Sequence, residues 1–187
     1  MTGGKGNRVR AHTTRAQFEA CILPHLAAAY NLARWLTRQE QDAEDVVQEA
    51  FLRAYKFFGT FRGGDSRAWL LTIVRHTCYT WLRQNRAHEL CDTFDENLHD
   101  NPRAEDNPEA LLLQNQQQHV LHAALAALPV LFREVVVLRD LEGLSYKEIA
   151  HITDLPIGTV MSRLARARTR LQHYVTAHQH TEAARGL

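Results

Sequence analysis

On either side of residues 88–107, apolar residues recur every three or four positions between Phe18 and Tyr174, and nowhere do they alternate with the period of two that a half-buried strand requires. That pattern restricts the chain to helices, and its interruptions predict where they end. Phe18, Ile22, Leu23, Leu26, Tyr30, Ala33 and Leu36 trace one stripe with Pro24 inside it, which predicts two helices or one kinked helix. Asp42 is expected to cap the next helix, with Asp45 adding acid to its first turn. This helix runs to about Phe58 and is expected to bury Val47, Phe51, Ala54, Tyr55 and Phe58. Gly59, Gly63 and Gly64 lie too close together for a helix, so a loop follows. A long helix from about Ser66 to Ala87 comes next, with Leu70, Ile73 or Val74, Thr77 and Trp81 inward.

His88 to Asn107 has no period, is rich in acid and contains Pro102, the composition of a linker. Asn107-Pro108-Glu109 supplies a cap, a proline for the first helical position and an acid for the first turn. The stripe then continues through Leu112, Val120, Leu121, Leu125 and Leu128 to Pro129. A further helix, about Val130 to Leu141, is predicted to stop at Gly143 in the left-handed conformation. Ser145 and Glu148 have capping-box spacing, and Pro156 pre-sets the first turn of a second short-range helix. Between them Asp154 falls where a left-handed residue is needed; glycine is commoner there, but Asp tolerates it. Ala150 and Val160 fall at the inward contact positions of a helix-turn-helix.

The expected fold is therefore all-α: two small helical domains joined by a flexible acidic linker, the second a helix-turn-helix domain. The expected boundaries are a disordered basic N-terminus at 1–13, a first domain at 14–87, the linker at 88–107, a second domain at 108–175 and a flexible tail at 176–187. At about 100–200 residues per domain, a length of 187 residues allows one domain or two small ones. Three cysteines without paired spacing argue against a disulfide framework and for a reducing, cytoplasmic setting. No apolar run approaches the roughly 18–20 residues of a membrane span, and no apolar signal core follows the basic start.

The formal net charge of +1 conceals a strong segregation. Arg62, Arg67, Arg75, Arg83 and Arg86 face only Asp65 across residues 62–86, and Arg163, Arg166, Arg168 and Arg170 meet no acid across 158–175. Between these stretches, residues 88–112 hold eight acids against Arg103. Two polyanion-binding surfaces joined by a segment that repels polyanions would produce this arrangement. Solvated charge without a partner is the plainer alternative.

The two basic stretches differ in chemistry. On the C-terminal one, Val160, Leu164, Ala167, Leu171 and Tyr174 point inward, while Thr159, Arg163, Arg166 and Arg170 share an adjacent face with Ser162 beside them. Such a helix fits the major groove, where Arg binds guanine O6 and N7 and hydroxyls reach phosphate or base. The helix from Ser66 interleaves basic groups with rings: Thr72, Arg75, His76, Tyr79, Arg83 and Arg86. Arginine tracking phosphate and rings stacking on unpaired bases suit single-stranded nucleic acid; a basic helix lying on duplex backbone fits the composition equally. The loop Arg62-Gly63-Gly64-Asp65-Ser66 would offer free backbone amides at a helix N-terminus, suited to an extruded base. Asp45, Gln48, Glu49 and Leu52, by contrast, make an acidic strip with one exposed leucine, better matched to a basic protein helix than to DNA.

The segments Asp42-Ala43-Glu44-Asp45-Val46-Val47-Gln48-Glu49-Ala50-Phe51, Phe61-Arg62-Gly63-Gly64-Asp65, Trp69-Leu70-Leu71, Leu144-Ser145-Tyr146-Lys147-Glu148-Ile149-Ala150 and Gly158-Thr159-Val160-Met161-Ser162-Arg163-Leu164 together resemble the extracytoplasmic-function (ECF) group of the sigma-70 family, in the expected order over about residues 16–175. The resemblance implies that Asp45, Gln48, Glu49 and Leu52 bind the β′ clamp coiled coil of bacterial core RNA polymerase. It implies that Arg62, Gly63, Gly64, Asp65, Ser66, Trp69, Arg75, His76, Tyr79, Thr80 and Arg83 open and read a single-stranded −10 element. Thr159, Ser162, Arg163, Arg166 and Arg170 would read a double-stranded −35 element, with 144–172 also touching the β flap. The acidic linker would lie in the RNA exit route, and an anti-sigma factor is a further implied partner. The family often has Asn where this chain has His76, which bears on −10 base preference, and Gly where it has Asp154.

No cofactor is expected. The histidines are scattered, and the group His173, His178 and His180 has no Cys or carboxylate at ligand spacing, so no metal site is expected either. Cys78 beside His76 is one thiol near one imidazole, and no nucleophile–base constellation or phosphate-binding glycine loop is evident, so the chain is not expected to be an enzyme. The rival function is a stand-alone helix-turn-helix transcriptional regulator, which would bind its operator without polymerase. An adaptor that only occupies polymerase would not need a basic recognition helix.

Overall fold

The structure, a computed structural model, describes residues 15–87 and 114–185. The linker at 88–107, the basic start at 1–13, the cap at Asn107-Pro108-Glu109, and Leu112 lie outside the described residues. All regular structure among the described residues is helical, and none of their helices is long and apolar enough to cross a membrane. The chain divides into two compact units.

In the N-terminal unit, α1 (residues 15–22) meets a 3-10 turn at Leu23–His25, and α2 (Leu26–Thr37) follows. Pro24 thus separates two helices, as the sequence predicts, but it also shifts their phase. The turn holds three residues per revolution rather than 3.6, so Leu23 and Leu26 are exposed and the buried positions become Ala28, Ala29, Leu32, Ala33 and Leu36. Arg38 ends α2 in the left-handed conformation with φ 66°, and its carbonyl accepts from Arg34 Nη1 at 2.6 Å.

Helix α3 (Glu40–Phe57) starts three residues earlier than expected. The cap position belongs to Gln39, not Asp42, and the Ala43 amide already donates to the Gln39 carbonyl at 3.1 Å. Asp42 and Glu40 instead place acid in the first turn, where the helix dipole favours it. The buried face is Ala43, Val46, Val47, Ala50 and Ala54; Tyr55 is exposed, and Phe51 and Phe58 are half-buried. Phe58 instead joins a chain of ring contacts: Phe18 meets Tyr55 at 5.2 Å and Phe58 at 5.3 Å, and Phe61 meets Trp69 at 5.1 Å. This chain leads from α1 to α4 (Ser66–Asn85). On α4 the buried side chains are Leu70, Leu71, Val74, Thr77, Cys78 and Leu82, whereas Trp81, expected inward, is half-buried.

The C-terminal part of the chain carries α5 (Gln114–Ala127), α6 (Val130–Val136), α7 (Tyr146–Thr153) and α8 (Ile157–Arg185), of which His151–Thr153 group with the first unit. Ala124, Leu125 and Leu128 are buried, while Leu121, placed in the stripe by its spacing, is exposed. Helix α6 widens into a π turn at Val137–Leu141 before stopping at Gly143, whose φ is +70°. Arg133 and Glu134 are fully buried, a placement that charge patterning does not foretell. Val160, Leu164 and Ala167 anchor α8, and Leu171 and Tyr174 are half-buried. The helix continues past 175, where a flexible tail was expected, and Tyr174 stacks on His178 one turn later at 5.2 Å. No proline or glycine interrupts it between Gly158 and Gly186.

Candidate nucleic-acid interface

Two local devices set the helix-turn-helix. Ser145 Oγ accepts from the Glu148 amide at 3.2 Å, while the Glu148 carboxylate accepts from the Ser145 amide at 2.6 Å. This capping box fixes the start of α7. At its end Asp154 is left-handed (φ 55°, ψ 45°), and the Leu155 amide closes on the Ala150 carbonyl at 3.1 Å. The Thr159 and Val160 amides then donate to the Pro156 carbonyl, launching α8.

The predicted recognition face on α8 is not uniform. Arg166 and Ser162 are exposed, but Thr159, Arg163 and Arg170 are half-buried along the flank. The Arg170 guanidinium sits over the Phe132 ring, 5.1 Å from its centroid, so part of its work is to hold α8 against its own domain. Ser162 Oγ donates to the Thr159 carbonyl at 3.0 Å. Arg168, on the other flank, pairs with Asp140 at 2.7 Å; that hydrogen bond and then the carboxylate charge raise the guanidinium pKa further. The side chains that point most directly outward include Met161, 52% exposed, which weighting by charge passes over. The fourfold spacing Ile157, Met161, Ala165 was the available signal.

In the N-terminal unit the loop and helix expected to meet a −10 element lie together. Gly63 and Gly64 have φ of +84° and +98°, which side-chain-bearing residues rarely adopt, and a Cβ on either would meet nothing within 4 Å. The glycines are therefore required by the backbone rather than by crowding. Arg62, Gly63, Gly64 and Asp65 are exposed. The amides beyond them are less open than expected, because Asp65 Oδ1 accepts from the Ala68 amide at 3.0 Å and caps α4. Ser66 meets His25, with Nε2 and Oγ 3.0 Å apart. Trp69 belongs to the ring chain through Phe61 and Phe58 and is half-buried. Further along α4, Arg75 sits over the Tyr79 ring at 4.6 Å, Thr80 Oγ1 donates to the His76 carbonyl at 2.9 Å, and His76 and Arg83 are exposed.

On α3, Asp45, Gln48, Glu49 and Leu52 all lie on the exposed side, opposite the buried alanines and valines. Glu49 is held by Arg53 at 2.7 Å, and Leu52 is 68% exposed. This strip is separate from the basic helix and opposite to it in sign.

A helix-turn-helix with an exposed arginine, carried on the same chain as a second basic helix that pairs a guanidinium with a tyrosine ring, makes an all-helical arrangement suited to nucleic acid. Residues 21–88 match sigma-70 region 2, and residues 118–171 match sigma-70 region 4. The chain is 33% identical over 161 residues to the ECF RNA polymerase sigma factor SigE of Mycolicibacterium smegmatis, covering 86% of this chain and 62% of that protein. It is 36% identical over 141 residues to the ECF RNA polymerase sigma-E factor of Escherichia coli K12, covering 72% of this chain and 74% of that one. The solved structure of the sigma factor RpoE with the anti-sigma factor NepR from Bartonella quintana is similar at a TM-score of 0.65 and 31% identity, over 86% of this chain and 97% of that one. The chain belongs to the ECF sigma factors of the sigma-70 family, which are DNA-binding transcription initiation factors rather than enzymes.

Proposed function

We propose that this chain binds bacterial core RNA polymerase, recognises promoters through −35 and −10 elements, and promotes DNA opening. The observation that supports this reading is the presence on one chain of two chemically different basic helical faces, one with exposed Arg166 and Ser162 and one pairing Arg75 with Tyr79. On α8, Arg166 and Ser162 are exposed for duplex DNA. On α4, Arg75 covers Tyr79 beside exposed His76 and Arg83, a face suited to unpaired bases. In this assignment Asp45, Gln48, Glu49 and Leu52 dock on the β′ clamp coiled coil. The loop from Arg62 to Ser66, with Trp69, Arg75, His76, Tyr79, Thr80 and Arg83, acts at −10. Thr159, Ser162, Arg163, Arg166 and Arg170 act at −35, and 144–172 also meets the β flap. The acidic segment 88–107 lies in the RNA exit route.

Polymerase aims both surfaces, and the free chain binds promoter DNA poorly because the acidic composition of residues 88–107 repels DNA. An anti-sigma factor is a further proposed partner, supported by the similarity to a sigma factor solved with one. Run-off transcription with core polymerase and a promoter selected from a randomised pool tests the proposal. Initiation above core alone is expected, with little gel shift by the purified chain. No initiation, together with tight operator binding by the chain alone, would replace this function with that of a stand-alone regulator.

A further inference from the structure

Two parallel ridges run along the outer surface of α8 at fourfold spacing. One is polar: Gly158, Ser162 and Arg166, all exposed. The other is apolar: Ile157 at 41% exposure, Met161 at 52%, and Ala165, also exposed. Successive members stand one turn apart, so each ridge forms a continuous strip on the first three turns of the helix. The first turns are the part of a recognition helix that reaches base edges in the major groove. Thymine is the base that carries an apolar group there, its C5-methyl, and small or apolar side chains contact it.

We infer that the −35 element of this protein is read by two chemistries side by side: Arg166 takes a guanine edge, and Met161 with Ala165 takes a thymine methyl. This deepens the proposed −35 role and rests on it. A flexible thioether spans the distance to a methyl without needing a hydrogen-bonding partner, and its exposure leaves it ready for burial. Ile157 begins the helix and extends the same strip toward the edge of the groove. A protein partner covering the strip is the competing occupant, and it would be indifferent to the base.

The test replaces each −35 thymine of a selected promoter with deoxyuridine, which removes the methyl and leaves the base-pairing edge intact. Full-length chain with core polymerase is assayed for promoter binding and run-off transcription. For wild type, one or two such substitutions are expected to weaken binding about fourfold each, the equivalent of one buried methyl group. Met161→Ala should bind the thymine promoter about as weakly as wild type binds the deoxyuridine one, and lose its sensitivity to the replacement. Met161→Leu should retain it. Robust initiation by a wild type indifferent to deoxyuridine at every −35 thymine would overturn the inference and leave the sigma function standing. So would a Met161→Ala defect of equal size on both templates, which is the signature of a protein occupant. Absence of initiation altogether would remove both.

Discussion

His25 Nε2 and Ser66 Oγ share a hydrogen bond of 3.0 Å that joins the 3-10 turn holding Pro24 to the first residue of α4, across 41 positions of sequence. The exposed glycine loop ends at this point. Two further restraints on it are the Asp65 cap on the Ala68 amide and the contact of Phe61 with Trp69. Removing a half-buried hydrogen bond costs about 1 kcal/mol on average. His25→Ala is therefore expected to lower the urea stability of the N-terminal unit by about that amount and to slow open-complex formation while leaving −35 duplex binding unchanged. His25→Gln, which keeps a hydrogen-bonding end, should recover most of both. Wild-type stability and opening in His25→Ala would show that the other two restraints suffice.

Asp154 occupies the left-handed turn between α7 and α8, where an L side chain costs roughly 1–2 kcal/mol and Asp somewhat less. Asp154→Val adds a β-branch at that φ and is expected to destabilise the C-terminal unit by about 1–2 kcal/mol. Asp154→Gly should be neutral or stabilising by a few tenths, because relief of strain is offset by greater freedom of the unfolded chain. Denaturant midpoints of the three proteins give the order Gly at or above Asp, and Asp above Val. A Val variant as stable as wild type would mean that the turn relaxes out of the left-handed region.

Features governed by rules spanning three or four residues were legible in the sequence: the Ser145–Glu148 capping box, the left-handed Asp154 and Gly143, and the inward Val160 and Leu164. Each depends on its immediate neighbours alone. What was not legible depended on phase or on tertiary surroundings. The 3-10 turn at Leu23–His25 rotates α2 relative to α1, so Leu23 and Leu26 come out and Ala29 and Leu32 go in. On α4 the hydroxyls of Thr72, Thr77 and Thr80 each donate to the carbonyl four residues back, so a threonine such as Thr77 can face inward without an unmet donor. Thr77 is accordingly buried, as its place in the expected stripe requires, whereas Trp81 is only half-buried and Leu82 goes in beside it. The burial of Arg133 and Glu134 and the outward position of Met161 each contradict the usual preference of the residue type, and only the packed structure reveals them.

The arginines of α8 divide by surroundings rather than by identity. Arg166→Ala, which removes the inferred contact with a guanine edge, is expected to weaken promoter binding by roughly 1–3 kcal/mol with thermal stability unchanged, and a uniform loss that only lowers the salt slope would place Arg166 on phosphate instead. Arg170→Ala removes the guanidinium from the Phe132 face and should destabilise the C-terminal unit by about 0.5–1 kcal/mol. Binding isotherms over a salt series, paired with urea titrations, separate the two. An Arg170→Ala protein of full stability would show that its contact with Phe132 is incidental.

On α4, Arg75 covers one face of the Tyr79 ring at 4.6 Å. A base stacking on Tyr79 must use the opposite face or displace the guanidinium, and in either case the cation remains close to the adjoining phosphate. Stacking of a base on an aromatic side chain is worth about 1–3 kcal/mol. Tyr79→Ala in the holoenzyme is therefore expected to weaken binding of a single-stranded −10 oligonucleotide by about tenfold or more, whereas Tyr79→Phe should stay near wild type because the ring, not the hydroxyl, provides the platform. Arg75→Gln should produce a smaller loss that fades as salt is raised, since phosphate attraction is screened while stacking is not. Binding of a −35 duplex fragment should be unaffected by all three. Equal losses on single-stranded and duplex probes would mean that α4 holds backbone rather than unpaired bases, and the division of labour between the two basic helices would fail.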